Sequence, residues 1–255
     1  MAEILKGDHI SKSYGENTIL KDISFTLHEG ELVSLLGVSG VGKTTLFNVL
    51  SGISMPEEGK VCLNENGMDA GSEHWVDITG KTGLISYMLQ KDLLLPHRKV
   101  IDNVSLPLAL KGISKKEARK IAAGHFKQFG LEGTEYRYPA ELSGGMRQRA
   151  ALLRTYLCGN KVALLDEPFS ALDTLTRTAM QEWYLQVMED IRLSTIFITH
   201  DIDEAVLISD RILIMKGRPA SLGEEFTITE PKPRGEEFML TEEFLEYKRR
   251  IRDSI

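Results

Sequence analysis

The run Gly37-Val38-Ser39-Gly40-Val41-Gly42-Lys43-Thr44 sets glycines, a lysine and a hydroxyl in the spacing G-x-x-x-x-G-K-[ST]. Its glycines let the backbone curl until successive N–H groups converge on phosphate oxygens, and the start of the following helix adds partial positive charge. Lys43 is then expected to reach the β and γ phosphates of a nucleotide, and the Thr44 hydroxyl to ligate Mg2+. A second constellation lies further on, where Val162-Ala163-Leu164-Leu165 ends in Asp166-Glu167-Pro168. A fully apolar run is a strand buried on both faces, and ligands gather at the carboxyl ends of such strands. Asp166 is expected to hold Mg2+ through water, together with Thr44. Side chains alternate along a strand, so Glu167 points elsewhere, placed to polarise an attacking water as general base.

Leu142-Ser143-Gly144-Gly145-Met146-Arg147-Gln148-Arg149 opens a helix expected to run to about Leu157. Ser143 can cap it, and Gly144 and Gly145 leave its first N–H groups uncovered, which makes a second anion site on the same chain. Taken alone, this is equally an ordinary capped helix after a turn. One nucleotide has no need of two phosphate sites so different in sequence. Two chains arranged head to tail would use both, each covering the nucleotide held by the other.

The elements that must position these groups are legible as hydrophobic periodicity. Ile23 to Leu27 alternates and belongs to an N-terminal antiparallel β-layer, and Leu32 to Leu36 is a core strand. Further apolar runs at Leu84 to Met88, Val162 to Leu165, Thr195 to Thr199 and Arg211 to Met215 read as buried strands separated by helices. The fold class is therefore α/β with a mainly parallel sheet. Lys43 to Leu50 is expected to be a helix. Ser114-Lys115-Lys116-Glu117 is a capping box, followed at helical spacing by Ala118, Ile121, Ala122, Phe126 and Phe129, with Gly130 as the stop. Residues 93 to about 157 thus form a helical subdomain inserted in a nucleotide-binding unit of residues 1–225. Residues 226–255 form a tail with a short helix capped by Thr241, packed on its own core.

Composition narrows the function classes. The 255 residues carry a formal net charge of -6, which opposes nucleic-acid binding. Cys62 and Cys158 are far apart, in no metal-like spacing, and fit a reducing cytosol. No signal peptide is visible at the N-terminus, and no apolar run approaches the roughly 18 to 20 residues of a spanning helix. Work at a membrane is expected to go through a partner.

The phosphate loop, LLDEP and LSGGMRQR together closely resemble the ATP-binding cassette family, from about Tyr14 to about Met215. The resemblance implies a P-loop NTPase core that hydrolyses ATP with Mg2+, and it adds residues to the site. Gly37, Ser39, Gly40, Gly42, Lys43, Thr44 and Thr45 look like the nucleotide-holding run, and Tyr14 like the aromatic residue that stacks on adenine. Gln90 looks like the glutamine that senses Mg2+ and the attacking water and relays to the membrane partner. Ser143, Gly144 and Gly145 look like the signature that covers the partner's nucleotide. Ser170-Ala171-Leu172-Asp173 looks like the loop that crosses the dimer interface, with Asp173 part of nucleotide binding. His200 looks like the histidine on the γ-phosphate, and Asp201 with Glu204 like a capping-box start to the next helix.

Among cassette proteins, DNA-repair and chromosome-organising ATPases separate the two halves of the head by a long coiled coil, and no sustained heptads lie here. Ribosome-acting members carry two cassettes, and this chain has one. Exporters often fuse the cassette to spanning helices, so a free cassette points to an importer. Asp173 to Arg177, His200 to Ala205 and Tyr87 to Pro96 resemble the subfamily serving nitrate, sulfonate, taurine and thiamine-pyrimidine precursor uptake. The implied partners are a second copy of the chain, integral-membrane permease subunits and, indirectly, a solute-binding protein, with no nucleic acid. The implied location is cytoplasmic, on the inner face of the membrane through the permease.

Overall fold

A computed structural model describes residues 2–65, 74–170 and 174–255. Strands β1 (Glu3–Tyr14), β2 (Asn17–His28) and β3 (Leu32–Leu36) lead into helix α1 (Lys43–Leu50). Then come β4 (Glu58–Asn64), β5 (Trp75–Asp77), β6 (Ser86–Met88), α2 (Val100–Val104), α3 (Leu106–Leu110), α4 (Lys115–Ala123) and α5 (Gly144–Tyr156). The chain closes with β7 (Val162–Asp166), α6 (Thr174–Ile191), β8 (Ser194–Thr199), α7 (Ile202–Ile208), β9 (Arg211–Lys216), β10 (Ser221–Thr227), α8 (Glu236–Met239) and α9 (Glu242–Ser254).

Two sheets result. The N-terminal layer has the order β2-β1-β4-β5 and is antiparallel throughout. The second has the order β10-β9-β3-β8-β7-β6, parallel except for the edge strand β10. Side-chain alternation splits the buried strands of this second sheet between two cores. Val162 and Leu164 of β7 face α1 and the antiparallel layer, with Phe47, Leu46 and Ile23. Ala163 and Leu165 face the helices, with Phe129, Leu153 and Tyr184. A third core joins Ile212 and Ile214 of β9 to Val206 of α7 and to Phe244 and Ile251 of α9, so the tail packs on the sheet's far end.

Several expected boundaries shift. The strand ending at Met88 begins at Ser86, and the residues before it form a turn after Gly83. The helix begun by Ser114 ends at Ala123, and the chain turns through to Gly130, whose φ is 63°. Phe126 and Phe129 are still buried, because successive turns bring them to the core without a continued helix. Ser114 Oγ accepts from the Glu117 N–H at 3.3 Å, but the Glu117 carboxylate lies 3.9 Å from Lys120 Nζ, so the box is half formed. Strand β10 is not among the expected strands; its exposed side chains hide it, with Phe226 alone of its residues fully buried.

Arg234 ties the tail to the core. It is 5% exposed. Its guanidinium donates to the carbonyl oxygens of Val206, Ser209, Ile228 and Glu230 at 2.6 to 3.3 Å. Val206 and Ser209 close α7, so the cation sits where helix carbonyls lack partners and the dipole is negative. Arg234→Ala is expected to lower stability by about 3 kcal/mol, because three buried carbonyls and one part-buried one lose a charged donor. Arg234→Lys should recover less than half, since an ammonium cannot match the planar fork. Urea midpoints check this; an unchanged midpoint for Arg234→Ala would remove the residue from the structural frame.

Candidate active site

The loop after β3 is shaped by close approach. Gly42 has φ 123°, and a Cβ there would lie 2.9 Å from Ile19 Cγ2. A Cβ on Gly37 would collide with the Met215 carbonyl oxygen. Glycine is therefore required at both positions by packing against β2 and β9, apart from any ligand. Lys43, at the start of α1, is buried and donates from Nζ to the carbonyls of Gly37 at 2.7 Å and Val38 at 3.1 Å. Burial lowers its pKa, against the pull of Glu167 and Asp166.

Asp166 ends β7 and is 7% exposed. Its Oδ2 accepts from Thr44 Oγ1 at 3.3 Å and from the Tyr87 hydroxyl at 3.5 Å. Burial pushes its carboxyl above the ordinary value, and the hydrogen bond from Thr44 pulls the other way. Glu167 follows with φ 46°, a left-handed conformation rare for a residue with a side chain. Two contacts hold it there: its N–H donates to Ile198 O at 3.1 Å, and Ser170 donates to its carbonyl from N at 3.2 Å and from Oγ at 3.0 Å. The turned backbone carries the Glu167 carboxylate to the strand ends on both sides. Oε2 accepts from Gln90 Nε2 at 2.8 Å, and Oε1 lies 3.3 Å from His200 Nδ1.

These groups share one cavity of about 570 Å3. Of the residues expected from sequence, Tyr14, Ser39, Gly40, Gly42, Lys43, Thr44, Thr45, Gln90, Asp166, Glu167 and His200 all line it. Gly37 does not, and neither do Ser143, Gly144 and Gly145, which open α5 on the helical arm. Ser143 Oγ does cap that helix, accepting from the Met146 N–H at 3.3 Å. Asp173, with Ala171 and Leu172, lies outside the described residues. A larger hollow of about 700 Å3, between α6 and residues 228–235, contains none of these groups.

One local expectation is corrected. Asp201 caps α7, accepting from the N–H groups of Asp203 and Glu204 at 2.9 and 3.2 Å. Glu204 does not return the bond. Its carboxylate is buried and accepts from Gln181 Nε2 on α6 at 2.9 Å, while the Asp201 N–H donates to Thr199 Oγ1 at 3.0 Å. Packing against α6 outweighs the local capping geometry. Sequence reasoning also passed over Tyr87 as a group touching the Asp166 carboxylate, Ser170 as the holder of the Glu167 backbone carbonyl, and Ile19 and Ile198 as apolar wall of the cavity. Only the position of Tyr87, three residues before Gln90 on the same side of the phosphate loop, carried a signal.

Thr44, Asp166 and Gln90 present hydroxyl, carboxylate and amide oxygen to the same space, a hard donor set that fits Mg2+. Among the described residues no cluster of three His, Cys, Asp or Glu could hold a metal unaided.

Residues 20–170 match the ABC transporter family. The chain is 42% identical over 218 residues to the formylaminopyrimidine import ATP-binding protein ThiZ of Halalkalibacterium halodurans, covering 85% of this chain and 81% of that protein. It is 38% identical over 229 residues to the nitrate transport protein NasD of Klebsiella oxytoca, covering 88% and 83%. Among solved structures it resembles the dimeric post-hydrolysis state of the cassette MJ0796 bound to ADP and Pi, with TM-score 0.72 and 28% identity over 89% of this chain and 100% of that one.

The raised pKa of Asp166 has a consequence for stability. Below the unfolded-state pKa both states are protonated and the burial penalty is absent; stability falls as pH rises from that value and the loss is complete above the raised folded-state pKa. Asp166→Asn is therefore expected to raise the melting temperature of nucleotide-free protein at pH 7.5, with the gain shrinking as pH falls toward the unfolded-state carboxylate value of about 4. Calorimetry at the two pH values checks this, and a variant that melts below the parent at pH 7.5 would refute the buried-charge account.

Proposed function

The chain belongs to the ABC transporter family, and from that premise we propose that it is the ATP-hydrolysing subunit of an importer for a small solute, working through separate permease subunits. The observation that carries this reading is the gathering of Lys43, Thr44, Asp166, Glu167, Gln90 and His200 on one cavity that leaves Ser143 to Gly145 aside. The phosphate loop holds the triphosphate of ATP, with Lys43 leaving the loop carbonyls for the β and γ phosphates and Tyr14 stacking on the adenine. Thr44, Asp166 and Gln90 hold Mg2+, which neutralises charge on the phosphates. Glu167 orients and deprotonates the attacking water, and His200 stabilises charge developing on the γ-phosphate. Ser143 to Gly145 of a second copy, with Asp173 at the interface, complete the site. Closure of this head-to-tail dimer drives the permease, and hydrolysis reopens it.

Residues 1–225 serve as the cassette, with 93–157 as its helical subdomain, and 226–255 as the tail. Among the described residues no helix is long and apolar enough to cross a membrane. As the subunit of an importer, the protein is placed by this reading on the membrane's inner face through its permease. The names of ThiZ and NasD support a small polar cargo of the pyrimidine-precursor or oxyanion type, delivered by a solute-binding protein. An alternative role on DNA finds no support in the charge of -6.

Glu167→Gln is expected to keep ATP binding, accumulate as a closed dimer with ATP, and lose at least about a hundredfold in turnover. Gel filtration and phosphate release read the two effects; a variant that stays monomeric with saturating ATP, or turns over at the parent rate, refutes the scheme. The import reading is tested separately by purifying the chain with its partners and heating the co-eluting solute-binding protein with candidate solutes. A ligand at 100 times its Kd should stabilise that protein by about 2.7 kcal/mol. Absence of any permease from the purified complex would overturn it.

A further inference from the structure

Charge is segregated on the helical arm. Between His97 and Lys127 the chain carries eight Lys or Arg against two Asp or Glu, within a protein of net charge -6. Two adjoining hollows of about 520 and 530 Å3 share Lys115, Arg119 and Tyr136 as a common wall. Arg98 and Lys99 stand around the first, Lys116 and Lys120 around the second.

The acids facing this surface are largely committed. Asp102 takes both guanidinium bonds of Arg119, at 2.8 and 2.7 Å, and lies 3.6 Å from Lys115. Glu117 lies 3.9 Å from Lys120, and Glu135 accepts from the Gly133 N–H at 3.3 Å. Among the described residues no carboxylate lies within 4.0 Å of Arg98, Lys99 or Lys116. Lys99 instead stands over the Tyr136 ring, 5.3 Å from its centroid. Tyr136 and Tyr138, both exposed, line the first hollow.

We propose that this face, formed by α4 and the turn at residues 97–99, rests directly on the anionic headgroups of a lipid bilayer. The cations are mostly lysines with exposed side chains, Lys115 and Lys120 being 73% and 79% exposed even with one carboxylate each within 4.0 Å. An ammonium is a point charge with no fixed fork, suited to a fluid array of phosphates rather than to one aligned carboxylate on a protein. Clusters of four to eight basic residues are of the size that holds a segment on an anionic leaflet. Tyrosine rims suit the headgroup level, where one end of the ring is wet and the other is not. Direct lipid contact goes beyond attachment through a permease, and neither requires the other.

Sedimentation of the full-length chain with vesicles free of any permease tests it independently of the import reading. The expected result is binding to vesicles containing phosphatidylglycerol, none to pure phosphatidylcholine, and weakening as added salt shortens the Debye length. Lys115→Glu/Lys116→Glu/Lys120→Glu should reduce binding at least about tenfold. Its melting temperature and ATP hydrolysis in solution should match the parent. Arg249→Glu/Arg252→Glu, on α9, should bind as the parent does. Equal binding to both vesicle types, no binding to either, or a triple variant that still sediments like the parent overturns the proposal. If that variant keeps its vesicle binding but loses a co-purifying permease, the face serves a protein partner and the lipid proposal falls.

Discussion

The arrangement depends on finding partners for one cation and two carboxylates brought together at the carboxyl end of a parallel sheet. An ion withdrawn from water is tolerated only where opposite charge or hydrogen bonds replace its hydration. Lys43 meets this with the carbonyls of its own loop, Asp166 with the hydroxyls of Thr44 and Tyr87, and Glu167 with Gln90 and His200. Those partners come from the loop after β3, from α1, from β6 and the residues after it, and from the end of β8, so the strands must end in step. The pairing of Met88 with Leu165 and of Asp166 with Ile198 brings this about. Apolar residues inside the sheet thus act as a ruler for polar residues at its edge, and a slip of one residue in β7 would turn Asp166 to the other face.

Glu167 shows what this placement demands of the backbone. With an extended backbone, the residue after Asp166 would carry its side chain away from the cavity. The left-handed turn at φ 46° redirects it, at a cost on the order of 1 to 3 kcal/mol. Pro168 disfavours the right-handed helical alternative at the preceding residue. The bonds to Ile198 and from Ser170 then hold the turned peptide from both sides. Ser170 is therefore joined to the carboxylate through one peptide unit, which places the start of the following loop in mechanical contact with the site.

What was legible in the sequence follows from how local each cause is. The phosphate loop, LLDEP and the Ser143 cap are written in consecutive residues, and the strands near them are continuous apolar runs buried on both faces. The sites they mark could be placed before any coordinates. Less legible were features set by distant neighbours. Strand β10 exposes most of its side chains because it is an edge, so its composition resembles a tail. Phe126 and Phe129 keep helical spacing yet lie in turns, because both turn and helix can deliver them to the same core. Glu204 stands where a capping box would use it, but Gln181, 23 residues earlier, supplies the stronger partner. Arg234 looks like a surface cation following two prolines, and nothing nearby in sequence announces the four carbonyls it serves.

Helix α7 brings these long-range causes together. It has 7 residues, too few for a helix to persist by itself. Its N-terminus follows His200 and is held by Asp201; its side is drawn to α6 through Glu204; its C-terminal carbonyls end on Arg234. Its buried face, Ala205 and Val206, packs with Phe244 and Ile251 of α9. Lys248 of α9 also reaches Asp203, at 2.6 Å. Much of what holds this short helix therefore comes from outside it, and part of that comes from residues after β10. The position of His200 beside Glu167 is in this sense set partly by the tail, although no tail residue lines the cavity.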